Sequence, residues 1–309
     1  MYSIIYSIYF FIKRRQKKLI ENGKKTSSLY NNIIGYIEAY YNIYWVKKIS
    51  RKQEFNSVNN KSYDDKKIIA SLTSFPKRIN TVWITIVTLL NQTVKPNKII
   101  LWLAEEQFDG IESLPKNLLD LQKYGLEIRF CDDLRSHKKY YFAMQEYTED
   151  IVILFDDDMF YPKNTIKKLY ELYKKFPSDI CAINTQVMCD GFESMPSVWR
   201  NPYINEKIIN SDKVQVYTGS GSLFPPHALD LEVFNKEAIL NLCPYADDLW
   251  LTFMAYRNKT KISSLSKWRS FPITIYNTEK NSLWYINSEG GQNDKQWSNL
   301  LNRYNKEAL

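Results

Sequence analysis

Three consecutive carboxylates, Asp156, Asp157 and Asp158, follow the apolar run IVILF at residues 151–155. Like charges a few ångströms apart raise one another's pKa unless a cation or hydrogen-bond donors compensate. A continuous apolar run of this kind reads as a central strand covered on both faces, so the acids stand at the end of a buried strand. Ligands of open α/β sheets bind just outside the carboxyl ends of the strands. Hard oxygen donors suit Mn²⁺ or Mg²⁺, which take a carboxylate or two and complete their sphere with substrate phosphates. A solvated acidic loop or a helix cap is the plainer reading of the tripeptide alone; its position after IVILF tilts the case towards a ligand. A second acidic pair, Asp247 and Asp248, begins a helical pattern at YADDLWL, where capping by itself accounts for acids. Lys138 and Lys139 precede the three aspartates by about one helix. Lysine is a point charge suited to phosphate, although a lysine pair at a helix start is often only solvated.

Other metal chemistries find little support. His137 and His227 are the only histidines, and Cys131, Cys181, Cys189 and Cys243 contain no CxxC pair. Zinc-type spacing is absent. Scattered cysteines fit a reducing cytoplasm and read as core or semi-buried thiols.

The net charge of +8 is unevenly placed. Residues 1–67 hold 14 Lys or Arg against 5 Asp or Glu, and residues 68–309 hold 28 against 29. A nucleic-acid enzyme would carry its basic footprint on the catalytic domain, so no nucleic-acid partner is expected. The basic segment contains two aromatic stretches, YSIIYSIYFFI (2–12) before KRRQKK and YIEAYYNIYW (36–45) before KKISRK. Eleven apolar residues are too few to span a hydrocarbon core, which needs about 20. The order of apolar run and basic cluster is wrong for a secretory signal. It suits helices lying on an anionic membrane surface, with packing on the catalytic domain as the competing reading.

The elements that must position the acids begin after a polar linker at 53–67. Strand patterns are expected at IIASLT (68–73), KIILWL (98–103), LEIRFC (126–131), IVILF (151–155) and DICAINTQVM (179–188). Helical patterns lie between them at 78–91, 115–124, 138–147 and 161–176. This alternation is the signature of a βαβ sheet. Residues 190–225 read as irregular, and two further helices are expected near 235–242 and 247–258. The chain therefore divides into a basic, aromatic helical extension with its linker (1–66) and a catalytic domain (67–309).

IIASLTSFPKRI, KIILWL, DDLRSHKKYYFAM, IVILFDDDM, GSGSLFPPHAL and ADDLWL, in this order, resemble the GT-A-fold bacterial glycosyltransferases. These are the family-2-like enzymes of cell-surface polysaccharide synthesis; the C-terminal domain of exostosins is a more distant likeness. The resemblance covers residues 67–300. It implies an α/β fold of the GT-A (nucleotide-diphospho-sugar transferase) type, with a single mainly parallel sheet flanked by helices. It further implies transfer of a single hexose-type sugar from a nucleotide-diphosphate donor, a UDP-sugar by preference, to a glycan or lipid-linked acceptor. The expected setting is cytoplasmic, peripheral on the inner face of the membrane.

By the same resemblance, Thr73, Ser74 and Arg78 would surround the base and ribose. Asp132, with Asp133 as competitor, would bind the base, and Lys139 would reach the diphosphate. Asp158 would bind the metal, Asp156 the ribose or the metal, and Asp157 the sugar or a metal-bound water. Asp248, with Asp247 close behind, would be the catalytic base, matching the ED-x-x-L element of inverting relatives. The chain departs from the pattern in having no late histidine for the metal, and SKWRS (266–270) fits the QxxRW element of processive enzymes poorly. TGSGSLFPP (218–226) offers glycines where backbone can approach a sugar, and Trp199, Trp250 and Trp284 offer flat faces. GGQNDKQW (290–297), with Asn293 and Asp294, reads as a mobile flap. A sugar-phosphate nucleotidyltransferase is disfavoured because TSFPKRI lacks the glycine-rich loop of that class. A non-catalytic membrane-attached scaffold with a GT-A-like domain is the remaining alternative.

Overall fold

The apolar runs IIASLT, KIILWLA and IVIL are buried along their lengths and become neighbouring strands β1 (Ile68–Thr73), β2 (Lys98–Ala104) and β4 (Ile151–Leu154). The computed structural model describes residues 2–21, 28–50, 54–200, 209–265, 271–276, 278, 287 and 290–304. With β3 (Leu126–Cys131), these strands run parallel in the order β3-β2-β1-β4. The sheet continues through β10 (Ser222–Phe224), β6 (Ile180–Ala182), β11 (Ile262–Ser264) and β8 (Ile209–Ser211), giving eight strands. Only β10 and β8 oppose the rest. The mainly parallel sheet expected from the alternating pattern is the sheet found.

Successive side chains of a strand point to opposite faces, and the core divides accordingly. Ile68, Ala70 and Leu72 face a cluster holding α3 (Val82–Leu90) and α6 (Thr165–Lys175). Ile69, Ile100, Val152 and Leu154 face a second cluster with α5 (Lys138–Glu146), α8 (Asp247–Arg257) and α9 (Gln292–Tyr304). The second cluster contains Trp250 and Trp297, both fully buried.

Several boundaries differ from the periodic pattern. Residues 115–124 form the four-residue α4 (Lys116–Leu119) and a separate tight turn at Gln122–Tyr124, closed by Gly125 at φ 102°, a left-handed conformation that glycine adopts without Cβ strain. DICAINTQVM divides: β6 joins the main sheet, whereas β7 (Thr185–Val187) pairs with β9 (Val214–Val216) in a two-stranded sheet. The stretch read as irregular supplies β8, β9 and β10, each only three residues long and too short to show a period. α7 (Lys236–Leu242) starts where expected, its first turn capped by the Asn235 side chain accepting from the Ala238 N–H.

The extension forms α1 (Tyr2–Glu21) and α2 (Ser28–Ser50), and both helices bury side chains in the first cluster, among them Tyr9, Phe10, Ile34 and Ile49. Tyr9 donates to Glu38 at 2.6 Å, and Tyr41 meets the ring of Phe160 edge-on. Phe160 belongs to β5 (Met159–Phe160), directly after the aspartates, which pairs with β12 (Ile273–Thr274). Asn42 closes this contact. Its amide donates to the Thr274 carbonyl at 3.3 Å and its Oδ1 accepts from the Tyr276 N–H at 2.7 Å. Packing on the domain is thus one part of what the extension does. No helix among the described residues is long and apolar enough to cross a membrane.

Asn42 is 6 % exposed, and Asn42→Ala leaves the partly buried Thr274 carbonyl and Tyr276 N–H without their partner. A loss of about 1–2 kcal/mol in urea unfolding is expected; an unchanged midpoint would show that the contact between α2 and β12 adds nothing.

Candidate functional site

The strand order reverses between β1 and β4, the switch point at which open α/β sheets bind ligands. A cleft of about 770 Å³ opens there, at the carboxyl ends of both strands. Thr73, Ser74 and Arg78 enter it from the β1 side, and Asp156, Asp157 and Asp158 from the β4 side. Asp247 and Asp248 line it from the start of α8, with Lys138 and Lys139 from the start of α5.

The three consecutive aspartates have three different surroundings. Asp157 is buried, and both its oxygens are engaged: Oδ2 accepts from Ser74 Oγ at 2.6 Å and Oδ1 from Arg78 Nη1 at 2.7 Å. The same Nη1 lies 3.0 Å from Asp158 Oδ2. Arg78 Nη2 donates to the Thr278 carbonyl at 3.2 Å. Burial raises the pKa of Asp157 despite these donors. Burial also pushes Asp158 up to about 7; Arg78 opposes this, and the neighbouring aspartates reinforce it. Thr85 holds the loop from below through the carbonyls of Asp157 and Met159, and Ile275 N–H donates to the Asp158 carbonyl at 2.7 Å.

Asp156 is the most open of the three, its side chain 38 % exposed. Its backbone N–H donates to Tyr161 Oη at 2.8 Å, and that hydroxyl donates to the Gly219 carbonyl at 2.5 Å. Its carboxylate lies against Gly219, where a Cβ would stand 1.8 Å from Oδ2. The glycine in TGSGS therefore makes room for a protein carboxylate rather than for a sugar.

Lys139 ties the two acidic groups together. Its ammonium, on a side chain 3 % exposed, lies 2.7 Å from Asp156 Oδ1 and 2.9 Å from Asp247 Oδ2. Burial favours a neutral lysine, but Asp156, Asp247 and Asp248 outweigh it and keep the charge. Burial would likewise raise Asp247; Lys139 overcomes this and holds it at about 2. Asp248 is pushed up to about 7, first by burial and then by the like charge of Asp247. Its Oδ1 accepts from the Thr218 N–H at 2.8 Å and from the Thr218 hydroxyl at 2.5 Å. Two adjacent acids are therefore held in opposite protonation tendencies, the arrangement that separates acid and base roles in known sites.

His137 braces this corner from inside. Nε2 faces the Cys243 carbonyl at 2.8 Å, which only accepts, so Nε2 carries the proton and Nδ1 accepts from the Tyr140 hydroxyl at 3.1 Å. Burial lowers its pKa to about 4, so the ring is neutral. It links the start of α5 to the turn before Asp247 and is no metal ligand.

The structure brings together nine of the ten residues singled out from the sequence. Asp132 stays apart: it is exposed and paired with Lys236 at 2.6 Å, outside the cleft. Asp133 lines the cleft instead, bound to Lys138 at 2.5 Å. Thr73 reaches the cleft while its hydroxyl donates to the Trp102 carbonyl at 2.8 Å. Trp199 and Trp250 are core residues, donating their ring N–H groups to the carbonyls of Ser194 and Val233. Trp284 and residues 266–270 lie outside the described residues. The expected flap is instead the start of α9, anchored by buried Trp297, Leu300 and Tyr304; Asn293 faces the cleft, whereas Asp294 caps Ser197. Cys181 and Cys243 are buried and Cys131 half-buried, but Cys189 is exposed. Sequence reading missed Thr218, Tyr161 and Thr278. Only Thr218 carried a signal, its place at the head of the TGSGS segment.

A family model described as "Glycosyl transferase family 2" matches residues 76–230, just over half of the chain and including Arg78, the three aspartates and Gly219. The chain belongs to glycosyl transferase family 2. The glycosyltransferase has the α/β GT-A fold anticipated from the resemblance. Among solved structures it is similar to the mannosyltransferase PcManGT from Pyrobaculum calidifontis in complex with GDP-Man and Mn²⁺. That match has 11% identity and a TM-score of 0.33, covering 58% of this chain and 46% of the other. It is also similar to GalNAc-T7 with UDP, GalNAc and Mn²⁺, at 11% identity and a TM-score of 0.43, covering 68% and 45%. The chain thus spans just under half the length of either. No curated protein matches it.

Two substitutions test this geometry. Gly219→Ala should displace the Asp156 carboxylate from Lys139 and lower donor turnover by about 100-fold, a loss typical of small misplacements, with a lowered melting temperature as well because the buried ammonium loses a partner. Asp248→Asn bears on the protonation assignment. A carboxyl with a folded pKa above its unfolded value adds stability that is full below about pH 4 and lost as pH rises through about 7. The variant should therefore gain about 2–6 °C in melting temperature over the wild type at pH 8, and less at pH 5. A gain independent of pH would mean that Asp248 titrates normally.

Proposed function

We propose that this glycosyltransferase moves a single hexose-type sugar from a nucleotide diphosphate, with a UDP-sugar as the preferred donor, to a hydroxyl of a glycan or lipid-linked acceptor. The reading places the reaction in surface polysaccharide synthesis on the cytoplasmic side, with residues 67–309 as the catalytic domain. What carries it is the Lys139 bridge, which sets Asp156 at the end of β4 opposite Asp247 and Asp248 at the start of α8, across one cleft.

The donor set fits a divalent cation. Six carboxylates and four cationic side chains line the cleft among the described residues, and a nucleotide diphosphate adds further negative charge. No group of three or more His, Cys, Asp or Glu side chains among the described residues forms a metal cage. The carboxylate oxygens of the cleft suit Mn²⁺ or Mg²⁺, hard ions that take few protein ligands beside phosphates. Asp156 and Asp158 would hold the ion, which when bound neutralises charge growing on the departing diphosphate. Asp157, with both oxygens committed to Ser74 and Arg78, serves as the fixed base of the loop. That commitment also ties up Ser74 and Arg78, so their contact with base and ribose would be made through the remaining Arg78 donors and the backbone at Thr73.

Asp248 would accept the proton of the attacking hydroxyl. Its two hydrogen bonds from Thr218 engage only Oδ1, and a pKa near 7 is close to the working pH at which a general base is most effective. Lys139, already between the two acidic groups, is within reach of the diphosphate by exchange of one carboxylate contact. This assignment corresponds to inversion at the anomeric carbon.

The test is Mn²⁺-dependent binding and slow hydrolysis of a panel of UDP-, GDP- and CMP-sugars. Asp158→Ala should lower hydrolysis by at least about 100-fold, and Asp248→Asn should abolish transfer while donor binding persists. A folded protein that binds no nucleotide sugar would overturn the reading.

A further inference from the structure

The buried side of the N-terminal helices is accounted for by the domain; their outer side is not. On α2, Ile33, Tyr36, Tyr40 and Ile43 follow one another at steps of three, four and three residues and therefore share one helix face. Tyr36 is 78 % exposed, Ile43 56 % and Tyr40 53 %. Ile34, Glu38 and Asn42 point the other way and are buried. On α1, Ile8 and Phe11 are exposed beside buried Tyr9 and Phe10. Half of the exposed large apolar side chains of the described chain lie on these two helices. A concentration of this kind marks an interaction site rather than ordinary surface.

The charge around the face selects its occupant. Residues 1–67 carry nine net positive charges, and the rest of the chain is close to neutral. Arg15, Lys47 and Lys48 are exposed on the same two helices. A second copy meeting this face through a two-fold axis would set equal positive charge against itself. Nucleic acid would match the lysines but leave Ile33, Ile43 and Phe11 in water. An anionic bilayer matches both, since tyrosine rings favour the headgroup level and aliphatic chains the boundary beneath it. Neither helix is apolar enough to span, so the contact lies along the surface.

We propose that the outer face of α1 and α2, centred on Tyr36 and Tyr40, seats on an anionic lipid surface. The seat is independent of the donor assignment. The test uses the full chain in flotation with vesicles of zwitterionic lipid, alone or with about one third anionic phospholipid. Binding should be at least about tenfold tighter to the anionic vesicles and weaken at high salt. Tyr36→Glu/Tyr40→Glu should reduce it by at least about tenfold, and Lys47→Glu/Lys48→Glu should flatten the salt dependence. Melting temperature and nucleotide-sugar hydrolysis should stay at wild-type values in both. Absence of binding to either vesicle, or unchanged binding of the tyrosine variant, would overturn the proposal. So would a dimer in solution that the tyrosine variant dissolves while vesicles are ignored.

Discussion

The buried ammonium of one lysine organises this site. Lys139 sits where the loop after β4 meets the start of α8, and it contacts a carboxylate from each. Burying one charge in protein is costly, and removing one partner from such a group costs more than the whole assembly contributes. The surrounding packing therefore has to hold three chain segments in register. The Ser71 hydroxyl on β1 donates to the Lys139 carbonyl at 2.5 Å, and the Trp102 ring N–H donates to that same hydroxyl at 3.0 Å. The lysine is thereby placed by the central sheet, and the acids are placed by the lysine.

The aspartate triplet shows how a run of like charges is tolerated at the end of a strand. All three reach the cleft, but Asp157 and Asp158 are buried and share Arg78, Asp157 also binding Ser74, while Asp156 is the open one and pairs with Lys139. Arg78 in turn binds the Thr278 carbonyl. Three adjacent residues thus have three different surroundings: one bound to Ser74 and Arg78, one to Arg78, and one to Lys139. The division follows from backbone direction, not from chemistry, since the side chains are identical.

The strand–helix alternation and the acids at the end of IVILF were legible because each depends on local pattern: apolar runs of strand length, and charge next to them. Residues 115–124 were misread as one helix because helical periodicity persists across a break at Asp120 that Gly125 then closes. The strands between 209 and 224 could not be read, because three residues carry no period and their pairing partners lie far along the chain. The choice of Asp132 over Asp133 was a choice of side. It turned on which of two neighbours faces Lys138 and which faces Lys236, and that depends on the placement of α5 and α7 rather than on the dipeptide itself. The roles of Tyr161 and Thr278 were equally invisible, since Tyr161 reaches the Gly219 carbonyl and Thr278 lends its own carbonyl to Arg78 across distances the sequence does not show.

The Asn42 contact changes what the N-terminal segment can be. By composition the segment is an add-on, basic and aromatic where the rest is neutral and alternating. Yet Asn42 of its second helix binds the backbone on either side of Ile275, whose N–H steadies the Asp158 carbonyl, and Tyr41 packs on the strand that follows the aspartates. Such a piece is not portable. Cut away at the polar linker, it would leave the Phe160 ring and the backbone around Ile275 without the helix that covers them.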